Sequence, residues 1–595
     1  MTLAHFQAPD APGFKLDPAV IAAFARFTRG FWRAETAGTA WALSLGLALC
    51  LLLSTAATVA LNRWNRWFFD SLAARDGEAL AQAVAVFVLI IAAMAAIGVG
   101  IVLARETLQV RWRAWIVKRL IARWLGRQRF YHLNVSGTEP ANPEYRISDD
   151  TRWATEPLVD LGIGLLLALV NGAAFIAILW SIGGSLSLEL GGGGHMTIPA
   201  YMVILAVAYG CVASGLTLWV GAPLVGLVGR KNEAEGHFRF AMMRLRDNAE
   251  SVATMRGGRY EQAMLERFYE TVVARWMGIV WQHARLTWIN NASGPMIPIV
   301  PLLFAAPKYV SGELTLGEVT QLAAAFVQVQ IAISWLVDNY NRVAEWYASA
   351  RRVMDIVAAC EAIDRHIDRL EAPVAETAGS VDLRDFEIAD GSGRPLLAGA
   401  ALVANQGQWV HVCGESSTGK STLVRVLARL WPSAARDLTL PPRAQVMIAP
   451  QKSYVPLGSL RGALLYPDPA LVLPAERLAA VLEMVGLGAL VPRLDETARW
   501  DQVLSNGERQ RLAVGRLLLH RPPVVILDDA LSALDAGAQQ QLLGRLRTEL
   551  TASTIIHLAQ RPATPGAHDR QFALKRGAGR ALLLPVGPPV MVEVR

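Results

Sequence analysis

The sequence is short of cysteine and short of charge. Its 595 residues include four cysteines, none at the paired spacing of a zinc site or a disulfide framework, which sets aside a secreted disulfide scaffold and a zinc module. Cys50 and Cys211 lie in apolar runs, Cys360 between regions of different texture, and Cys413 at the edge of a glycine-rich loop. They read as small packing residues in a reducing compartment. Only 18% of residues are charged against 53% apolar, a balance unlike that of soluble domains. The first 36 residues hold no apolar core of the signal-peptide kind, so no cleaved leader is expected. Basic residues exceed acidic ones, 57 to 50, but they flank the apolar runs. That placement points to membrane orientation and away from nucleic acid.

What the sequence has is long apolar stretches before about residue 340. Six of them, near 37–61, 80–104, 157–182, 197–221, 286–306 and 317–338, reach the ~20 residues that span a bilayer. The fifth carries Asn290, Asn291, Pro295, Pro298 and Pro301. A spanning helix holds these only where neighbours or a water-filled cavity take up the freed backbone groups. Lys and Arg crowd 105–156 and 222–285, are absent from 183–196, and are limited to Lys308 in 307–315. The turn expected at 62–79, with Arg63, Arg66 and Arg75, departs from this bias. The positive-inside rule places both termini and the two long basic loops in the cytoplasm. The loops themselves have helical periodicity, which predicts spanning helices that continue well beyond the lipid.

After a linker near 351–380 the pattern becomes alternating strands and helices. GESSTGKS, Gly414 to Ser421, follows the apolar strand QWVHVC and opens the helical run TLVRVLARLW. In that context Gly414, Glu415, Ser416, Ser417, Thr418, Gly419 and Thr422 form a phosphate-cradling loop, Lys420 reaches the outer phosphates, and the Ser421 hydroxyl suits Mg²⁺. VVILDD supplies Asp528 at a strand end as a second Mg²⁺ ligand. Gln451 follows a short apolar strand in MIAPQKSYVPLGSL, and LSNGERQRLAVGRLLL opens a helix at a polar turn ahead of SALD (Ser532 to Asp535).

In this order the motifs resemble the ATP-binding cassette family. The resemblance implies a membrane all-α six-helix transmembrane domain plus a cytoplasmic α/β P-loop ATP-binding cassette domain. The expected divisions are 1–36 (cytoplasmic elbow), 37–350 (six spans), 351–380 (linker) and 381–595 (cassette). It implies ATP and Mg²⁺ as cofactors, Gln451 beside Mg²⁺ and the attacking water, Asp529 as the catalytic carboxylate, and Gln560 at the switch position. Ser505, Asn506 and Gly507 would be the signature that closes over a partner's ATP. ANPEYRI (141–147), RKNEAEGHFRFAMMRLRDNAESVATMRG (230–257) and APKYVSGELTLGEVTQ (306–321) look like SbmA/BacA-like bacterial transporters, and like the related subfamily D fatty-acyl half-transporters of peroxisomes. That branch implies a half-transporter in a bacterial inner membrane, working as a dimer. Symmetry favours a homodimer over a heterodimer. By the same resemblance, loops around 142–150 and 247–260 would dock onto the cassettes.

Three positions depart from the family pattern. Asp529 stands where glutamate is usual, which sets the carboxylate one methylene, about 1.5 Å, further back, and a misplacement of about 1 Å can cost on the order of a hundredfold in rate. Gln560 stands where a histidine is usual, and it donates hydrogen bonds without carrying charge. His557, three residues earlier, falls on the opposite face of an extended strand. Where an adenine-stacking aromatic is usual the chain offers Asp390 and Gly391, and Phe386 comes too early. ATP binding with slow hydrolysis is the expectation. Two function classes follow: an ATP-driven transporter of peptides or other large hydrophilic compounds (fatty-acyl compounds second), and a proton-coupled transporter gated by its cassette. The second needs a titratable group in the membrane, for which Asp160 and Asp338 are the candidates. A soluble cassette protein acting on nucleic acid is excluded by the six spans. Gln321, Gln328 and Trp335, seven apart on one face of the last span, fit either a polar path or interhelical hydrogen bonding.

Overall fold

The computed structural model describes residues 17–586, apart from 191–193, 371–374, 377–378, 390–393, 416–417, 432–437, 441, 443–444, 561–567 and 578–579. The chain divides into two compact units, Met1–Glu361 and Ala362–Arg595.

Long apolar runs leave helix as the form that satisfies backbone groups in lipid, and the first unit is built mainly of helices, with one antiparallel strand pair, Ser185–Leu190 and Gly194–Pro199. The longest helices are α1 (Ala37–Ala73), α2 (Gly77–Leu125), α3 (Thr151–Gly183), α4 (Tyr201–Gly221), α5 (Pro223–Asp247), α6 (Gly258–Ser293), α7 (Met296–Val310), α8 (Leu316–Asp338) and α9 (Tyr340–Leu370). Six helical stretches among the described residues are long and apolar enough to cross a membrane. The 49 residues of α2 rise ~1.5 Å each, so it is roughly 74 Å long against a hydrocarbon layer of ~30 Å. Its basic second half therefore continues as a rod beyond the lipid. The turn expected at 62–79 is far shorter. Helix α1 runs on to Ala73, because Arg66 and Asp70 on it find partners on α8.

Those partners form one ladder. Asn62 Nδ2 donates to the Gln321 carbonyl (3.1 Å), and Gln321 Nε2 donates to Asn62 Oδ1 (3.0 Å). Arg66 pairs with Glu318 at 3.0 Å. The Gly317 N–H, an orphan donor in the first turn of α8, donates to Asp70 Oδ1 at 2.9 Å. Gln321 is thus an interhelical tie. Trp335 is packed too: a Cβ on Gly164 of α3 would come within 2.4 Å of its Nε1. Gln321 and Trp335 of that face are thus engaged in helix packing.

The fifth span is broken at Gly294–Pro295, between α6 and α7, while Pro298 and Pro301 lie within α7. Ile297 N–H bonds the Gly294 carbonyl (3.2 Å), which leaves the Ser293 carbonyl without its helical donor. The Tyr209 hydroxyl of α4 donates to it at 2.7 Å. Asp160 accepts from Gln109 (2.8 Å) and pairs with Arg342 (3.2 Å) and Arg105 (3.9 Å), while Asp338 accepts from Ser334 (2.8 Å).

In the second unit, apolar runs bounded by turns give strands β1 (Val381–Ala389), β2 (Pro395–Ala404), β3 (Trp409–Gly414), β4 (Val446–Ala449), β5 (Val524–Asp528), β6 (Thr554–Ala559), β7 (Arg570–Arg576) and β8 (Ala581–Pro585). With two short strands at its far edge they form one mixed sheet in the order β1-β2-β8-β7-β3-β6-β5-β4. Strands β7, β3, β6, β5 and β4 are mutually parallel, and β5 is buried along most of its length, as expected of a strand covered on both faces. Helices α10 (Lys420–Leu427), α11 (Asn506–His520) and α12 (Ala536–Glu549) complete the frame of the site.

Candidate functional site

The loop after β3 lies at the carboxyl end of a parallel strand, where open α/β sheets bind ligands. Gly419 adopts φ +96° and opens α10, so the first turn of that helix aims its N–H groups at an anion. Lys420 is buried. Its ammonium donates to the Gly414 carbonyl and to the Glu415 carbonyl (3.2 Å). Two backbone oxygens hold the charge that a phosphate group would otherwise take.

A pocket of about 560 Å³ opens here. Thr418, Gly419, Lys420, Ser421 and Thr422 line it from the loop, and Gln451, Asp528, Asp529 and Gln560 from strand ends on one side. Gly414 and Glu415 take part through the carbonyls just described, and Ser416 and Ser417 lie outside the described residues. Four separate sequence motifs meet in one cavity. Asp528 and Asp529 stand beside each other, and burial together with the Asp529 charge pushes the Asp528 carboxyl above its ordinary value, with Lys420 and Arg425 acting in the opposite sense. Adjacent carboxylates, a serine hydroxyl and an amide oxygen are the hard donors that Mg²⁺ takes, so Ser421, Gln451 and Asp528 fit the metal.

Asp529 sits at φ +45°, a left-handed conformation that aspartate tolerates better than most residues. Its N–H donates to the Leu558 carbonyl (3.0 Å) and its Oδ1 accepts from the Gln560 N–H (3.2 Å). His557 is absent from the pocket lining. It sits among His411 and His568, its Nδ1 3.2 Å from His568 Nε2, between strands that place it level with His411 and Leu527. Among the described residues no group of three or more His, Cys, Asp or Glu side chains could hold a metal ion, the histidine trio included.

Ser505 caps α11 in a reciprocal box: Glu508 N–H donates to Ser505 Oγ (3.3 Å) and Ser505 N–H to Glu508 Oε2 (2.8 Å). Ser505 and Asn506 are exposed, Gly507 packs near Leu534, and none of the three lines the pocket. Gln510 ties this helix to the SALD turn, donating to Ser532 Oγ (3.3 Å) and accepting from the Ala533 N–H (2.9 Å). Phe386 is turned inward and buried, its ring against Gly399. Asp390 and Gly391 lie outside the described residues. Sequence reasoning missed Leu396, Arg576 and Arg580, which also line the pocket. No motif contains them, and the pairing of β8 with β2 brings them in.

A family model described as ABC transporter transmembrane region 2 matches residues 34–310, and one described as ABC transporter matches 397–532. The chain is an ABC half-transporter. Its membrane and ATPase regions are fused in one polypeptide, and ATP hydrolysis in the cassette is coupled to transport. The half-transporter is 26% identical over 547 residues to the inner membrane ABC transporter ATP-binding protein YddA of Escherichia coli, covering 91% of this chain and 95% of that one. It is 26% identical over 508 residues to the lysosomal cobalamin transporter ABCD4 of Mus musculus, covering 79% and 81%. Among solved structures, a bacterial Atm1-family ABC exporter with ATP bound superposes with TM-score 0.66 at 18% identity, over 90% of this chain and 94% of that chain, a likeness of fold.

Proposed function

We propose that two copies of this half-transporter sit in the bacterial inner membrane with both termini in the cytoplasm, and that each pocket is completed by Ser505, Asn506 and Gly507 of the other copy. One observation carries this: the pocket gathers Lys420, Ser421, Gln451, Asp528, Asp529 and Gln560 from a single chain, while Ser505 stands exposed outside its lining. A helix N-terminus suited to a γ-phosphate then lacks a phosphate of its own.

In this reading Lys420 exchanges the Gly414 and Glu415 carbonyls for phosphate oxygens. Asp529 orients the attacking water, and Gln560 donates a hydrogen bond to the terminal phosphate. Mg²⁺, held by Ser421, Gln451 and Asp528, supplies positive charge to the phosphates when bound. Hydrolysis is slow because Asp529 is short and Gln560 is uncharged. Of the two carboxylates on which proton coupling would rest, Asp160 is already bonded to Gln109 and paired with Arg342, and Asp338 accepts from Ser334, which favours ATP as the driver. The cargo we assign is a peptide or another large hydrophilic compound, with fatty-acyl compounds second. The resemblance of residues 141–147, 230–257 and 306–321 supports that assignment.

The test has two arms. Cysteines at Ser505 and near Gly414 should cross-link between copies of a solely expressed chain trapped with ATP; a chain that stays monomeric in lipid discs overturns the dimer. In reconstituted vesicles, peptide uptake should follow ATP and persist when the proton gradient is collapsed. Uptake that follows the gradient alone overturns the ATP-driven reading.

A further inference from the structure

The sheet order divides the pocket. The phosphate loop leaves β3. On one side of it, β6, β5 and β4 bring Gln560, Asp528, Asp529 and Gln451. On the other side, β7, β8 and β2 bring Arg576, Arg580 and Leu396. The two sides are contiguous, since a Cβ on Gly419 would lie 3.9 Å from Ala581 Cβ. A nucleotide whose phosphates occupy the loop and whose outer phosphate faces Asp528 must point its base the other way.

No aromatic side chain lines that base end among the described residues. The stretches 390–393 and 578–579, outside the described residues, read DGSG and AG and contain no aromatic residue. What lies there is an apolar shelf, Leu396, and two guanidinium groups on the hairpin joining β7 to β8. The hairpin is closed by the Gly577 N–H on the Arg580 carbonyl (2.8 Å). Arg580 is occupied: its Nη1 donates to Glu387 Oε2 of β1 at 2.9 Å. A planar guanidinium stacks on an aromatic face, and the face of a purine is such a surface.

We propose that Arg576 stacks on the nucleobase in place of an aromatic side chain, with Leu396 against the base from the sheet side and the Arg580–Glu387 pair steadying the hairpin. The inference rests on the nucleotide reading of this pocket and adds its base-recognition element. Stacking reads the face of a base and not its edges, so it tolerates different bases. The site should take ATP and GTP with affinities within about threefold of each other by that reasoning.

The experiment measures Mg-ATP, Mg-GTP and inorganic triphosphate binding to the full chain in lipid discs by competition against a labelled ATP analogue. Arg576→Ala should weaken both nucleotides by about five- to tenfold, the range of a partly desolvated cation–π contact, and leave triphosphate unchanged. Arg576→Tyr should restore nucleotide affinity. If Arg576→Ala weakens triphosphate as much as ATP, Arg576 is a phosphate contact and the inference fails. It fails equally if the variant changes nothing. Should the unmodified chain bind neither ATP nor triphosphate, the nucleotide reading itself falls, a result distinct from either of these.

Discussion

Asp529 Oδ1 accepts a hydrogen bond from the backbone N–H of Gln560 at 3.2 Å. Two of the three positions that depart from the family pattern are therefore joined, the short carboxylate accepting from the backbone of the switch position.

Asp529→Glu combined with Gln560→His should raise ATP turnover by about ten- to a hundredfold, an expectation from geometric sensitivity. Steady-state phosphate release from reconstituted protein measures it. A parent chain already as fast as the double variant shows Asp529 to be an adequate base.

Lys420→Ala should abolish measurable nucleotide binding at micromolar ligand while leaving the cassette folded. The buried ammonium holds two loop carbonyls, and no other cation lines the loop side of the pocket among the described residues. Titration with a labelled ATP analogue reads the effect, and unchanged affinity would remove Lys420 from the site.

The trio His411, His557 and His568 gives the cassette a pH limit. Burial, with mutual repulsion among the imidazoles, lowers His411 to about 4 and His557 to about 3 from the ordinary 6.5. Burial, with the Arg547 charge and against the pull of Asp569, lowers His568 to about 4. Above pH 6.5 the three are neutral folded or unfolded. Between 6.5 and about 4 the unfolded chain binds protons that the folded chain refuses, so stability declines as pH falls. His568→Phe should remove about a third of that slope, one group of three, in thermal unfolding of the cassette transition followed from pH 7 to 4.5. An unaltered slope would place the acid sensitivity elsewhere.

Gly317→Ala should destabilise the membrane unit by on the order of 1–3 kcal/mol, the usual range for overpacking. A Cβ there would stand 2.2 Å from the Arg66 carbonyl oxygen and 2.6 Å from the Asp70 carboxylate. Thermal unfolding in mild detergent checks it. Gly312→Ala is a poor control, since φ there is +78°; Gly229→Ala, with open space around it, should be near neutral.

The six spans could be read from hydropathy because lipid imposes its length on each of them. The phosphate loop could be read because a strand, a glycine-rich turn and a helix follow one another in the chain. What could not be read comes from pairing between distant strands. The histidine trio joins residues from β3, β6 and the segment just before β7, and the base end of the pocket joins Leu396 to Arg580 through β2 and β8. Helix length was only partly visible. The stretch from residue 62 looked like the start of a turn, and the α8 partners of Arg66 and Asp70, some 250 residues away, keep it helical to the end of α1. Phe386 gave the opposite lesson: a ring near the expected place serves the core.

The ladder between α1 and α8 has a mechanical side. Its rungs, at Asp70, Arg66 and Asn62, all meet the first two turns of α8, at Gly317, Glu318 and Gln321. A stiff helix clamped at one end is a lever arm. At ~1.5 Å per residue, Asp338 lies roughly 25 Å beyond Gln321, so a tilt of about 5° at the clamp sweeps the far end through about 2 Å. Any tilt at the ladder would therefore displace the chain least beside Gly317 and most where α8 gives way to α9.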